Sequence, residues 1–260
     1  MTALKRLLRF ACTIMLLVFV TAFLIPSPIL ALGPPNIAAL QGFTSAPTGS
    51  VLLVVGDLSI RNPHGTKPAG VSFQAGRDST PLGFIAGLLT NNQSFIFDTN
   101  PMAVNSSSGR PIGTYTTIFS IGGPDVNAVT SYYEKTSLTG DRASLLFSVA
   151  GGNDVWTDMN GTVVWTVPQS SNSIPPGTSD VFVIQVLQDT NGRLVALMYG
   201  TTYLGTWAAA LYFTFMIYPN ISTYQNGYYL IRWTDATSGA TANYMPDTGD
   251  TFTILATAVS

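Results

Sequence analysis

Residues 181–199 read VFVIQVLQ-DTNG-RLVALMY. Two apolar runs, Val181–Gln188 and Arg193–Tyr199, flank Asp189-Thr190-Asn191-Gly192, whose glycine supplies a positive φ, and the pattern predicts a β-hairpin. Working outward, the same kind of short run recurs at Val51–Val55, Val71–Gln74, Ser94–Phe97, Thr114–Ile121, Ala143–Val149, Thr162–Val167, Leu211–Tyr218, Gly227–Trp233 and Thr251–Thr257. Turn residues separate these runs at roughly 8–15 residue spacing, the pattern of an all-β fold of the Ig-like or jelly-roll β-sandwich type over residues 51–260. A second hairpin is expected between Leu211–Tyr218 and Gly227–Trp233, around Pro219 and Asn226-Gly227. The stretch Trp207–Ile217 is apolar on both faces and reads as a central strand covered on both sides. Short helices are expected at Phe84–Leu89 and Asp125–Tyr133, and the Ser/Pro/Gly-rich residues 169–178 mark a sub-domain break or a long loop.

Composition narrows the function. Of 260 residues, 9 % are charged, against a usual ~25 %. Glu134 is the single glutamate, which leaves little charge for a coiled coil or a helical bundle. A formal net charge of −2 with scattered arginines excludes a basic nucleic-acid groove. The one cysteine, Cys12, lies near the N-terminus, so from residue 32 onward there is no disulfide, thiolate nucleophile or Cys-ligated metal. One histidine, His64, is too few for a multi-histidine zinc site.

Residues 1–31 read as a secretory signal peptide: Lys5, Arg6 and Arg9, an apolar run from Phe10 to Ile25, the breakers Pro26 and Pro28, and Ile29-Leu30-Ala31 for cleavage. The run of about 16 residues falls short of the ~20 that span a bilayer, so membrane attachment would come only through an uncleaved signal. Losing this segment leaves eight basic against 13 acidic residues, a charge of −5. Residues 32–50, rich in Pro, Gly, Ala and Ser with apolar Ile37, Leu40 and Phe43, read as an extended N-terminal arm or linker. Sequons at Asn92, Asn105, Asn160 and Asn220 fit glycosylation in a secreted, extracellular protein. With so few carboxylates to protonate, stability is expected to depend weakly on pH.

Catalytic constellations are thin. His64 sits in a turn with no G-x-S-x-G elbow, Asp154 and Asp158 are the best glycosidase-like pair, and Asp247-Thr248-Gly249 lacks a second copy. No catalytic residue is assigned. Asp235, Asn243, Asp247 and Asp250, in one loop with Gly239 and Gly249, are oxygen donors of the kind that suits calcium, and Asn153, Asp154 and Asp158 form a weaker set. Among the C-terminal aromatics, Trp207, Tyr218, Tyr224 and Trp233 are the expected interaction or glycan-stacking rings.

A Sec-type signal, a cysteine-free mature chain, several sequons and low-charge β-rich sequence together resemble archaeal secreted cell-surface β-sandwich proteins, S-layer-associated or thread and bundling-pilus filament subunits. The resemblance implies a sandwich subunit whose N-terminal arm completes a neighbour's sheet. The expectation is therefore a non-enzymatic structural or assembly subunit at the extracellular cell surface, self-associating or bound to other surface proteins through strand and aromatic contacts. The alternatives are a secreted glycan-binding module and, third, a secreted hydrolase using Asp154 or Asp247.

Overall fold

The computed structural model describes residues 35–57, 80–89, 93–135, 137–138, 140–169, 178–236 and 243–259. The signal at 1–31, His64, the expected strand Val71–Gln74, Asn92, most of 169–178 and Gly239 lie outside them. The described residues are β-rich, with 37 % strand against 23 % helix, in a large mixed sheet and a smaller second one.

The strands are β1 (Val51–Val55), β2 (Ser94–Phe97), β3 (Thr117–Ile121), β4 (Leu145–Ala150), β5 (Asn153–Asp158), β6 (Val163–Pro168), β7 (Ser179–Gln188), β8 (Leu194–Gly200), β9 (Asn226–Thr234) and β10 (Thr251–Val259). Seven form one sheet in the order β10-β9-β7-β8-β3-β1-β2, and β4-β5-β6 form the other. The expected hairpin is present, with Val183 opposite Tyr199 and Leu187 opposite Val195. The ladders β1–β2, β1–β3 and β3–β8 run parallel, a departure from the antiparallel pairing of an Ig-like or jelly-roll sandwich. The large sheet takes strands from both sides of residues 169–178.

Strands in the middle of this sheet are buried on both faces, which is why β1 and β3 are apolar or small at every position. Leu53, Val55, Phe119, Ile121, Phe182, Ile184, Met198, Ile231 and Trp233 point to one face, under the helices. Leu52, Val54, Ile118, Val195 and Leu197 point to the other, against α2 (Ala128–Tyr133). Further along that second face Val181, Val183, Tyr199 and Leu230 meet Leu145 and Trp156 of the small sheet. Helix α1 (Leu82–Leu88) and α2 overlap the two helices expected from sequence.

Two stretches correct the sequence reading. Trp207–Ile217 and Leu211–Tyr218 are not strands and form no hairpin with Gly227–Trp233. They belong to α3 (Tyr203–Tyr212), a π-helical turn at Phe213–Ile217 and a 3-10 segment at Tyr218–Thr223. Thr202 caps α3 by accepting from the Leu204 N–H at 3.2 Å, and Ala208–Ala210 supply strong helix formers. A helix apolar on nearly all sides satisfies the same burial as a central strand, so the apolar pattern could not distinguish them.

The arm is the second correction. Ile37–Ser45 is a 3-10 helix capped by Asn36, not an extended segment. Ile37, Leu40 and Phe43 recur every three residues, the period at which 3-10 side chains eclipse, and all three are buried. The Phe43 ring lies 4.8 Å from Phe119, 6.1 Å from Phe213 and 5.5 Å from Tyr218. Phe43→Ala is therefore expected to cost about 3–5 kcal/mol, read as a shifted urea midpoint. A variant as stable as the parent would show that the arm packs elsewhere.

Candidate functional site

The loop between β9 and β10 carries the expected calcium ligands, and most of their described oxygens accept hydrogen bonds. Asp250 Oδ2 accepts from Trp233 Nε1 at 2.8 Å and from the Asp247 N–H at 2.9 Å, while Oδ1 accepts from the Ala236 N–H at 3.1 Å. Asp247 accepts from the Gly249 N–H at 2.7 Å and from Asn243 Nδ2 at 3.0 Å. Asp235 is buried, with Oδ2 facing the Tyr244 N–H at 3.3 Å and Oδ1 without a hydrogen bond. Among the described residues no group of three or more His, Cys, Asp or Glu is placed to hold a metal ion.

Of the four expected contact rings, Trp207, Tyr218 and Tyr224 are half-buried and Trp233 lies in the core. Trp233 is fully buried, so it offers no face to a glycan. Tyr218 shares a 2.8 Å hydrogen bond with Thr44 Oγ1 and packs on Phe43, Tyr224 lies 5.2 Å from Tyr229, and Trp207 packs on Phe84 at 6.1 Å. Asn105, Asn160 and Asn220 are all exposed. Ser107 Oγ donates to Asn105 Oδ1 at 2.7 Å within that sequon. Asp158 caps the β5–β6 turn through the Asn160 and Thr162 N–H groups, both at 2.8 Å, and Asp154 accepts from Gln169 Nε2 at 3.3 Å. Asn153 lies in the same strand, its amide donating to the Gly151 carbonyl at 3.3 Å.

The single glutamate, unassigned by sequence reasoning, sits at the centre of a buried polar network. Glu134 caps the C-terminal end of α2. Its Oε1 accepts from the Tyr199 hydroxyl at 2.5 Å and from Gln185 Nε2 at 3.2 Å, and Oε2 accepts from the Phe147 N–H at 3.0 Å. Gln185 in turn bonds both backbone groups of Leu145, so the network ties α2, β7 and β8 to the small sheet. Burial pushes the Glu134 carboxyl up to about 8, the Tyr199 hydroxyl and the Phe147 N–H opposing and Asp125 adding to the rise. Burial likewise lifts Asp154 to about 6, with Gln169 opposing.

What the fold leaves open lies at the two ends of the large sheet. Among the described residues β2 is hydrogen-bonded only to β1, and β10 only to β9. Neither strand carries a charged residue. Phe95 and Phe97 pair with Leu53 and Val55, whose side chains lie on the helical face, so both rings stand on that face of the edge. They are 52 % and 41 % exposed, in edge contact at 6.3 Å. At the far edge Phe252 and Ile254 pair with Trp233 and Ile231, again on the helical face, and Ile254 is 49 % exposed. A bulge between Ile254 and Ala256 then turns Ala256 and Ala258 to the opposite face.

Two outcomes are expected. Because Glu134 is raised on folding, it is protonated in both states below about pH 4.5, and stability falls between there and about pH 8, where the unfolded chain alone has lost the proton. The slope from this one group reaches about 1.4 kcal/mol per pH unit. Glu134→Gln should flatten that slope in urea titrations from pH 5 to 8, and an unchanged slope would contradict the assignment. Asp250→Ala, which strips the buried Trp233 indole of its acceptor, should cost about 2–3 kcal/mol equally in calcium and in chelator. A loss confined to calcium-containing buffer would instead make Asp250 a metal ligand.

Comparison of the chain with protein-family models, curated proteins and solved structures finds no match.

Proposed function

We propose that this chain is a secreted, non-enzymatic structural subunit of the extracellular cell surface that assembles through the edges of its large sheet. One observation carries the reading: among the described residues the sheet ends in two uncharged terminal strands, β2 and β10. An edge strand presents a row of N–H and C=O groups that templates another strand, and soluble monomers normally blunt it with lysine, proline or a cover. Here both edges lack lysine and proline, and both add exposed apolar side chains.

The assembly route differs from the one the sequence suggested. Ile37, Leu40 and Phe43 are sealed in their own core, so they are not spare segments for a neighbour's sheet. The strand-pairing role passes to β2 and β10. Of the expected rings of a glycan-binding module, Trp233 lies in the core. The exposed sequon asparagines Asn105, Asn160 and Asn220 lie outside both edge strands, so glycans on them are compatible with edge pairing.

Light scattering on a sizing column and negative-stain imaging of residues 32–260 should show polymers that lengthen with concentration. A monomer at every concentration would overturn the proposal.

A further inference from the structure

We infer that the partner at these edges is a second copy of this chain, joined head to tail, with β10 of one copy pairing antiparallel to β2 of the next. This rests on the assembly reading above and specifies its junction. Strand direction comes first. β2, β1, β3 and β8 are mutually parallel, β7 opposes β8, β9 opposes β7, and β10 opposes β9. β10 therefore runs against β2, and two copies set side by side in one orientation meet through an antiparallel pair.

Length and side-chain direction then select the register. The bulge divides β10, leaving Thr251–Ile254 as an unbroken four-residue run, and β2 is four residues long. Opposite residues of an antiparallel pair share a face. Placing Phe252 opposite Phe97 and Ile254 opposite Phe95 brings all four exposed or half-exposed apolar side chains together on the helical face. The same register sets Thr253 opposite Ile96 on the other face. Shifting by two residues breaks one of the apolar pairs, and shifting by one puts every side chain on the wrong face.

The bulge also argues against β10 pairing with itself. Phe252 and Ile254 face the helices, whereas Ala256 and Ala258 face the small sheet. Full-length self-pairing about a two-fold axis would set Thr253 opposite Thr257, which lie on different faces. A head-to-tail contact uses different surfaces on its two sides, so it does not close on itself unless the rotation forms a ring. Phe95 and Phe97 would be the anchors, because aromatic residues at an interface centre dominate its energy.

Two half-exposed positions test the junction. Ile254→Lys blocks the β10 edge and Phe95→Lys the β2 edge, with melting curves confirming that each variant folds. Each alone should be monomeric, and an equimolar mixture should give a discrete 1:1 heterodimer, built from the one intact β10 and the one intact β2. Polymers from either variant alone, dimers of Phe95→Lys alone, or monomers in the mixture would overturn the head-to-tail register. If the parent chain polymerises while the variants behave in one of those ways, only the junction fails. A monomeric parent removes the assembly reading as well. Should a lysine variant not fold, Ile254→Thr and Phe95→Ser carry the same outcomes.

Discussion

A buried carboxylate holds the end of the sheet to the helical layer, and much of the architecture depends on it. Asp180, at the start of β7, accepts from the Val181 N–H at 2.7 Å, the Thr202 N–H at 3.0 Å, the Thr202 hydroxyl at 2.6 Å and the Gly205 N–H at 2.8 Å, and also from the Thr201 hydroxyl. Apart from the Val181 N–H, these groups lie just after β8 and in the cap and first turn of α3, where unsatisfied helical N–H groups and the positive end of the helix dipole favour an anion. Burial raises the carboxyl even so, and the donors pull against that rise. The approach is close enough that a Cβ on Gly205 would sit 2.7 Å from Asp180 Oδ2, and one on Gly200 would sit 2.3 Å from the Gly205 Cα. With α3 fixed here, its apolar surface covers the face formed by Phe182, Ile184 and Met198.

The same theme of acids inside an almost uncharged protein runs through Glu134 and Asp154. Glu134 has three donors and, among the described residues, no ion pair, so its burial is tolerated best in the neutral form. Asp141 behaves oppositely. It accepts from the Tyr132 hydroxyl and the Thr190 N–H and lies 3.5 Å from Arg110, and its carboxyl falls below the ordinary range despite burial. In a chain with few charges, a carboxyl placed in the interior is the group whose linkage a pH titration would read, because burial shifts it further than surface exposure would.

Low charge also shapes the outside. The core takes the apolar residues of every central strand, yet the terminal strands keep the same apolar, threonine-rich character without the lysines that usually end a sheet. The bulge in β10 limits how much of that edge is regular, leaving Thr251–Ile254 as its unbroken run.

Composition and turn chemistry were enough to read most strands, because period, β-branching and Asp-Thr-Asn-Gly act locally. Val51–Val55 and Ser94–Phe97 have the bounds that their apolar runs suggested, and the hairpin at 181–199 has its expected pairing. Strand β5 escaped notice because Asn153, Asp154 and Asp158 read as a turn or ligand set until their pairing with β4 and β6 is seen. Whether Trp207–Ile217 would be strand or helix, and whether Ile37, Leu40 and Phe43 would be arm or core, depended on contacts from Asp180, Phe119 and Phe213, far away in sequence. The role of Glu134 was equally hidden, since only packing brings Tyr199, Gln185 and Phe147 to its carboxylate. The sequence by itself determined a low-charge, β-rich chain with a strong central hairpin, because those properties follow from residue type and local spacing. The tertiary structure alone decided that strands would run parallel as well as antiparallel, and which two would be left at the edges, because strand order is set by long-range packing.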